Sequence, residues 1–301
     1  FYGCINLAAV TLNSNLTVIE DYTFYECYKL YQVILPSWLE KIGRSAFYKC
    51  VAMEELNAES TTVAYIDDYA FFGCSGLKTI TFGEELTEIG NYAFYGNSEL
   101  IGISFPASLK KIGGKAFYKC VSVENINFGG TEEIGESAFS YCESLTEINA
   151  PSTLKTIGEK AFYNCANLVT VNFSANVKNI YNSAFEGCSS LKDYNAEKKI
   201  GLNFNGCAFE KIGEKAFYKT ELKTVDLTVE EIGASAFAES KVESLKLTVK
   251  TIGAYAFYKC EKLSSVTITA KTGAKMYASS FGECKKAEAD LSSVSGFEII
   301  K

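Results

Sequence analysis

The sequence predicts a solenoid, one chain wound into about 13 like coils with parallel strands stacked along it, and three observations carry that prediction. A Phe recurs at positions 1, 24, 47, 71, 94, 117, 139, 162, 185, 217, 237, 257 and 281, so the steps are 23, 23, 24, 23, 23, 22, 23, 23, 32, 20, 20 and 24. The same skeleton surrounds each copy, seen complete as KIGGKAFYKC at Lys111 to Cys120. Six residues after the Phe comes a Leu (Leu7, Leu30, Leu77, Leu100), replaced by Met53 or Val123 in two coils. Such a fixed period marks a stacked array with one continuous core. Length alone suggests two domains, and the repeat replaces that with a single solenoid over 1–301.

Each coil is justified in turn by its residues. Leu77, Ile80, Phe82 and Leu100, Ile103, Phe105 give an L-x-x-I-x-F spacing whose last two members send alternate side chains into a core. A second aliphatic residue follows, and then IGxxAFYxC. Ordering one coil's backbone costs more than its own few apolar side chains return, so stability must come from neighbours. Crossovers between parallel strands are right-handed by overwhelming preference.

The L-x-x-I-x-F spacing followed by IGxxAFYxC resembles the BspA-type leucine-rich repeats over essentially the whole chain. The resemblance implies an α/β-type leucine-rich-repeat solenoid, right-handed and curved, with a parallel β-sheet on the concave face. Short strands and 3₁₀ turns are expected on the convex face, with little regular α-helix.

Smaller features refine this expectation. The residue before Phe is Ala in ten of twelve complete motifs, Thr23 and Ser280 excepted, which points to close approach of successive coils there. Glu20, Asp67, Tyr181 and Tyr277 replace the Gly after Ile, so that site does not demand a left-handed backbone, and its Gly serves compactness. Nine extra residues near 197–211, with a half-formed echo at Cys207, Ala208 and Phe209, predict an outward loop or a degenerate partial coil. The repeats over 217–257 are short, which predicts altered curvature after about residue 215. The pattern fails at Ala287 and Asp290, so 281–301 is expected to be a degenerate last coil or the start of a cap.

Composition excludes several functions. The net charge is −7, from 36 acidic and 29 basic residues with no basic run longer than two, which argues against nucleic acid. No apolar window is long enough to span a membrane in this segment. The chain opens on Phe1 inside a repeat, which reads as a piece of a longer protein. There is no His and no CxxC, so neither a zinc site nor a Ser or Cys triad has its usual parts, and no enzyme, metal or cofactor is expected. No phosphate-cradling Gly motif follows a strand. The neighbouring Asp67 and Asp68 read as solvated turn residues. Ten of eleven Cys lie three residues after the repeat Phe and read as inert buried thiols, with parallel Cβ vectors ill suited to disulfides.

What remains is surface. The middle outward strand position runs Thr11, Ile34, Asn57, Thr81, Ser104, Asn127, Asn149, Asn172, Asn195, Asp226, Lys246 and Thr267. The candidate partner-binding stripe is Asn127, Asn149, Asn172 and Asn195 with Glu147, Thr170, Asp193 and Asp226. It either binds an extended peptide or glycan or satisfies itself as an Asn ladder. A second row follows the Phe (Tyr2, Tyr25, Tyr48, Phe72, Tyr95, Tyr118) and either shields the core edge or forms an interface. Asn15 and Asn172 head Asn-x-Ser/Thr triplets. The family resemblance implies a non-catalytic cell-surface or secreted protein, acting in adhesion or host contact on a protein or glycan ligand of a host or neighbouring cell. The alternatives are a structural spacer in a larger surface protein and a carbohydrate-binding module of a larger enzyme.

Overall fold

The computed structural model describes residues 1–301 except 194, 196, 198–200, 205 and 285–293. The expected break in pattern at Ala287 and Asp290 lies outside the described residues, as does part of the 197–211 insertion. The described residues contain parallel strands and turns and no helix. They fall into two units, Phe1–Leu145 and Thr146–Lys301.

In the first unit every coil contributes two strands. One is three residues long, as in Glu55–Asn57 and Thr79–Thr81, which pair in parallel with Leu56 opposite Ile80. The central residue is buried and its neighbours are exposed, as the pleat dictates. The other strand is two residues long and ends on the motif's Ile, giving Ile42 opposite Ile66 and Ile112 opposite Ile134.

Between the second strand and the next coil, IGxxAFYxC folds as successive turns. Ala46, Tyr48 and Cys50 donate to the carbonyls of Gly43, Ser45 and Phe47 within the coil. The intervening N–H groups of Ser45, Phe47 and Lys49 donate to Asp68, Ala70 and Phe72 of the next coil, at 3.0, 2.7 and 2.7 Å. Backbone donors thus alternate between closing their own coil and tying it to its neighbour, so the buried backbone is satisfied without a helix. This geometry requires left-handed residues two before and two after the Phe, and ordinary side chains fill them: Lys115 and Lys119 have φ of 55° and 60°. The motif's own Gly113 is not left-handed. A Cβ there would come within 2.5 Å of the Gly90 carbonyl carbon, so Gly permits close contact between coils.

In the first unit the repeat Phe side chains form a core stack. Ring centroids are 5.1 Å apart for Phe24–Phe47, 4.9 Å for Phe47–Phe71 and 5.0 Å for Phe94–Phe117, all near parallel. Phe82 and Phe105 approach Phe94 and Phe117 edge-on, filling the space behind the three-residue strands.

The second unit starts in the same style and then changes. The insertion is part of one long coil: Leu202–Asn203 pairs with Thr170–Asn172, and Ala208–Ile212 pairs with Asn179–Ile180. Phe209, in the stretch expected to echo the motif, is a strand residue of the core. In the 20-residue repeats the two strands of a coil merge. Loss of the intervening turn leaves the nine-residue strands Thr224–Ile232 and Ser244–Ile252, paired along their length. Strand Ser265–Tyr277 continues this sheet, and Phe297–Ile300 pairs with its end.

Candidate binding surface

Where the three-residue strands pair, outward side chains of neighbouring coils lie in register, and their hydrogen bonds show what is already engaged. In the first unit Thr81 donates to Asn57 Oδ1 at 3.1 Å, and Asn127 Nδ2 donates to Ser104 at 3.4 Å. Asn57 and Asn127 also accept from the N–H of Glu59 and Gly129, two residues on, so each helps end its own strand. In the second unit Asn172 Nδ2 donates to Asn149 Oδ1 at 2.8 Å, and Asn149 Nδ2 donates to Glu147 at 2.8 Å. The Asn stripe therefore satisfies itself in part from coil to coil.

Several sequence-derived positions move. Asn172 lies opposite Asn203 and not one step before Asn195, because Leu202 pairs with Val171 on one side and bridges Asp193 in parallel on the other, so the inserted strand stands between them. Asn195 is exposed. Asp193 caps backbone: its Oδ1 accepts from the N–H groups of Lys223 and Thr224 at 2.8 and 2.9 Å. Thr170 is 4% exposed, with its hydroxyl accepting from Gly201 N–H at 3.2 Å, so it is covered. Glu147 lies in register with Thr170 and is exposed, and Asp226 pairs with Lys246 of the next coil at 3.0 Å.

The aromatic row after the Phe is a second stack. Tyr2–Tyr25, Tyr25–Tyr48, Tyr48–Phe72, Phe72–Tyr95 and Tyr95–Tyr118 have centroids 4.7–4.9 Å apart and near-parallel planes. From Tyr25 to Tyr118 these rings are half-buried, covering the core edge. Lys119 reaches over Tyr118 at 5.8 Å and Lys115 over Tyr92 at 5.3 Å, placing cations over the rings.

The carboxylates singled out by sequence are structural. Burial acts to raise the carboxyl of Asp67, but Lys41 Nζ at 2.9 Å and the Asp68 N–H outweigh it and hold Asp67 below the usual carboxylate range. Asp68 Oδ1 accepts from the Asn91 N–H of the next coil at 2.6 Å. Among the described residues no group of three or more His, Cys, Asp and Glu is placed to hold a metal ion. No described helix is long and apolar enough to cross a membrane.

What sequence reasoning passed over is one coil where the surface changes character. Trp38 is 66% exposed, in a turn whose counterparts carry Ser108 and Thr153. Its departure from the repeat, legible on aligning the P-x-x-L turns, was the available signal.

Comparison with known proteins agrees with this architecture. A leucine-rich repeat protein from Bacteroides ovatus has a similar structure, with TM-score 0.51 and 22% identity, covering 100% of this chain and 86% of that one. A leucine-rich cell surface protein from Faecalibacterium prausnitzii is similar at TM-score 0.53 and 19% identity, over 98% and 88% of the two chains. None of the curated proteins matches the chain. The model of the BspA-type leucine-rich repeat region matches residues 1–124, 110–210 and 202–298, and the chain belongs to that family.

Proposed function

We propose that residues 1–301 form the recognition region of a cell-surface or secreted protein, binding a protein ligand on a host or neighbouring cell by non-covalent contact and performing no chemistry. The observation that carries this reading is the strand face, where side chains from successive coils stand exposed in register around a buried central residue. Many weak contacts at fixed spacing suit recognition of an extended surface. The absence of His from the sequence leaves the common acid–base arrangements without their usual member. The cell-surface relative from Faecalibacterium prausnitzii supports the proposed location.

The test is capture of the folded protein by immobilised matrix and cell-surface proteins, set against a charge-matched control. Specific, saturable capture supports the proposal. Equal retention on the control, with the solenoid shown folded by circular dichroism, contradicts it.

A further inference from the structure

The outward middle position of the first-unit strands carries Thr11, Asn57, Thr81, Ser104 and Asn127, all polar, and Ile34 is the exception at 54% exposed. The same coil exposes Tyr31 at 55% and Trp38 at 66%. Three large apolar side chains thus face solvent within eight residues where neighbouring coils place mostly polar ones. An isolated exposed apolar residue needs no explanation, whereas a cluster at positions the repeat keeps polar points to contact with something.

Two members of the cluster, Tyr31 and Ile34, line a groove. A recess of about 700 Å³ is lined by Tyr31, Ile34, Leu35, Asn57 and Thr61, and it shares Ser60 with a second recess of about 560 Å³ beside Thr81, Phe82 and Phe105. The turn holding Trp38 is tied to the next coil, one residue past the lining Thr61, by the Thr62 N–H, which donates to the Ser37 carbonyl at 3.1 Å. The carboxylates at its margins lie at both ends of the strands: Glu54 and Glu55 where a strand begins, Glu59 and Glu84 in the turns where strands end. Lys78 pairs with Glu54 at 3.0 Å. Among the described residues no basic side chain forms an ion pair with Glu55, Glu59 or Glu84, and no Lys or Arg lines either recess.

We propose that this groove binds an extended peptide segment in which basic residues alternate with apolar ones. The apolar members would lie against Ile34, Tyr31 and Trp38, and the basic members would reach Glu55, Glu59 and Glu84. An extended chain supports that division, because successive side chains point to opposite sides. The carboxylate margins favour a cationic protein segment over a neutral glycan, which brings no positive charge to offset them. This inference rests on the recognition role proposed above and gives that role a location and a partner chemistry.

Trp38 is the only Trp in the chain, so its fluorescence reports this coil alone in the whole protein. The protein is titrated with a short synthetic peptide alternating Lys and Val, with its Glu–Val counterpart, and with a neutral oligosaccharide, and affinity is measured in parallel by calorimetry. The expected result is saturable binding of the Lys–Val peptide with a shift of Trp38 emission, and no response to the other two. Combined Glu55→Gln, Glu59→Gln and Glu84→Gln substitution weakens it by about tenfold, as loss of three exposed charges implies. Ile34→Asn, which installs the residue type of neighbouring coils, weakens binding in a protein that remains folded. Absence of Lys–Val binding, binding unchanged in the triple variant, or a response to the oligosaccharide in its place overturns the proposal. Capture by immobilised matrix proteins without a Trp38 response removes the groove while leaving the wider recognition role intact. Failure of both removes both.

Discussion

The thiol of Cys74 donates to the main-chain carbonyl of Phe47, one coil earlier, across 3.0 Å. The same bond joins Cys50 to Phe24, Cys120 to Phe94 and Cys188 to Phe162, each at 3.2 Å. These thiols are part of the packing between coils. Where Thr or Ser replaces Cys, the Thr220 and Ser240 hydroxyls donate to the Phe carbonyls of their own coils.

This thiol row makes the fold sensitive to alkali. Burial pushes Cys74 and Cys120 from 9.0 up to about 12. Because the folded value lies above the unfolded one, their contribution is complete below about pH 9 and is lost as the pH rises towards 12, where the unfolded chain binds fewer protons. Each thiol should cost stability at about 1.4 kcal/mol per pH unit in that window. Urea unfolding at pH 8 and pH 10.5 should show a lower midpoint at the higher pH, with a smaller fall in Cys74→Val/Cys120→Val. An equal fall in both proteins would assign the effect to other groups.

Asn97 occupies the Cys position of its coil with a fully buried side chain, and neither its amide nitrogen nor its oxygen has a partner among the described residues. An unsatisfied buried polar group costs about 1–3 kcal/mol. Asn97→Cys should therefore raise the thermal midpoint, by about 2–4 °C per kcal/mol recovered. An unchanged or lower midpoint would contradict this account of the site.

Phe94 stacks between Phe71 and Phe117 at 5.1 and 5.0 Å and meets the edge of Phe82 at 6.1 Å. Phe94→Ala should cost about 3–5 kcal/mol, because the cavity is enclosed by rings that two neighbouring coils hold in place. Phe94→Leu should cost less. Chemical denaturation of the two variants measures the difference.

Space and backbone conformation are demanded at different positions of the motif. Gly113→Ala should destabilise by about 1–3 kcal/mol, since the new Cβ meets backbone of the preceding coil. Ser235→Gly should stabilise by up to about 1 kcal/mol, because Ser235 holds a φ of 55° that costs an L-residue about 1–2 kcal/mol. Thermal melts of the pair check both signs.

The Phe stack and the paired Ile positions were legible because each coil must supply the same side chain at the same place to cover its neighbour. The conformation of Lys115 and Lys119 was not legible, since nothing about Lys announces a left-handed backbone, and the demand comes from bonds to the next coil. Asn172 was matched with Asn195 by counting forward from the Phe. Counting fails there because the strand Leu202–Asn203 is interposed between that of Asn172 and Asp193, and pairing alone identifies Asn203. The 20-residue steps showed that these repeats are short, yet the merging of Thr224–Ile232 into one strand follows from geometry. Within the candidate stripe, exposure of Glu147 and Asp226 followed from alternation. The covering of Thr170 depends on Gly201 in the long coil.

The central claim is that the coil is the unit of stability, each leaning on its neighbours. Deleting residues 94–116 removes one 23-residue repeat and joins Ala93 to Phe117, restoring the motif across the junction. Urea unfolding followed by circular dichroism should show a folded protein whose denaturant sensitivity falls roughly in proportion to the surface removed. Deleting 94–104 alone should abolish the fold of that unit. Loss of folding in the whole-repeat deletion, or equal tolerance of the partial one, would contradict the claim.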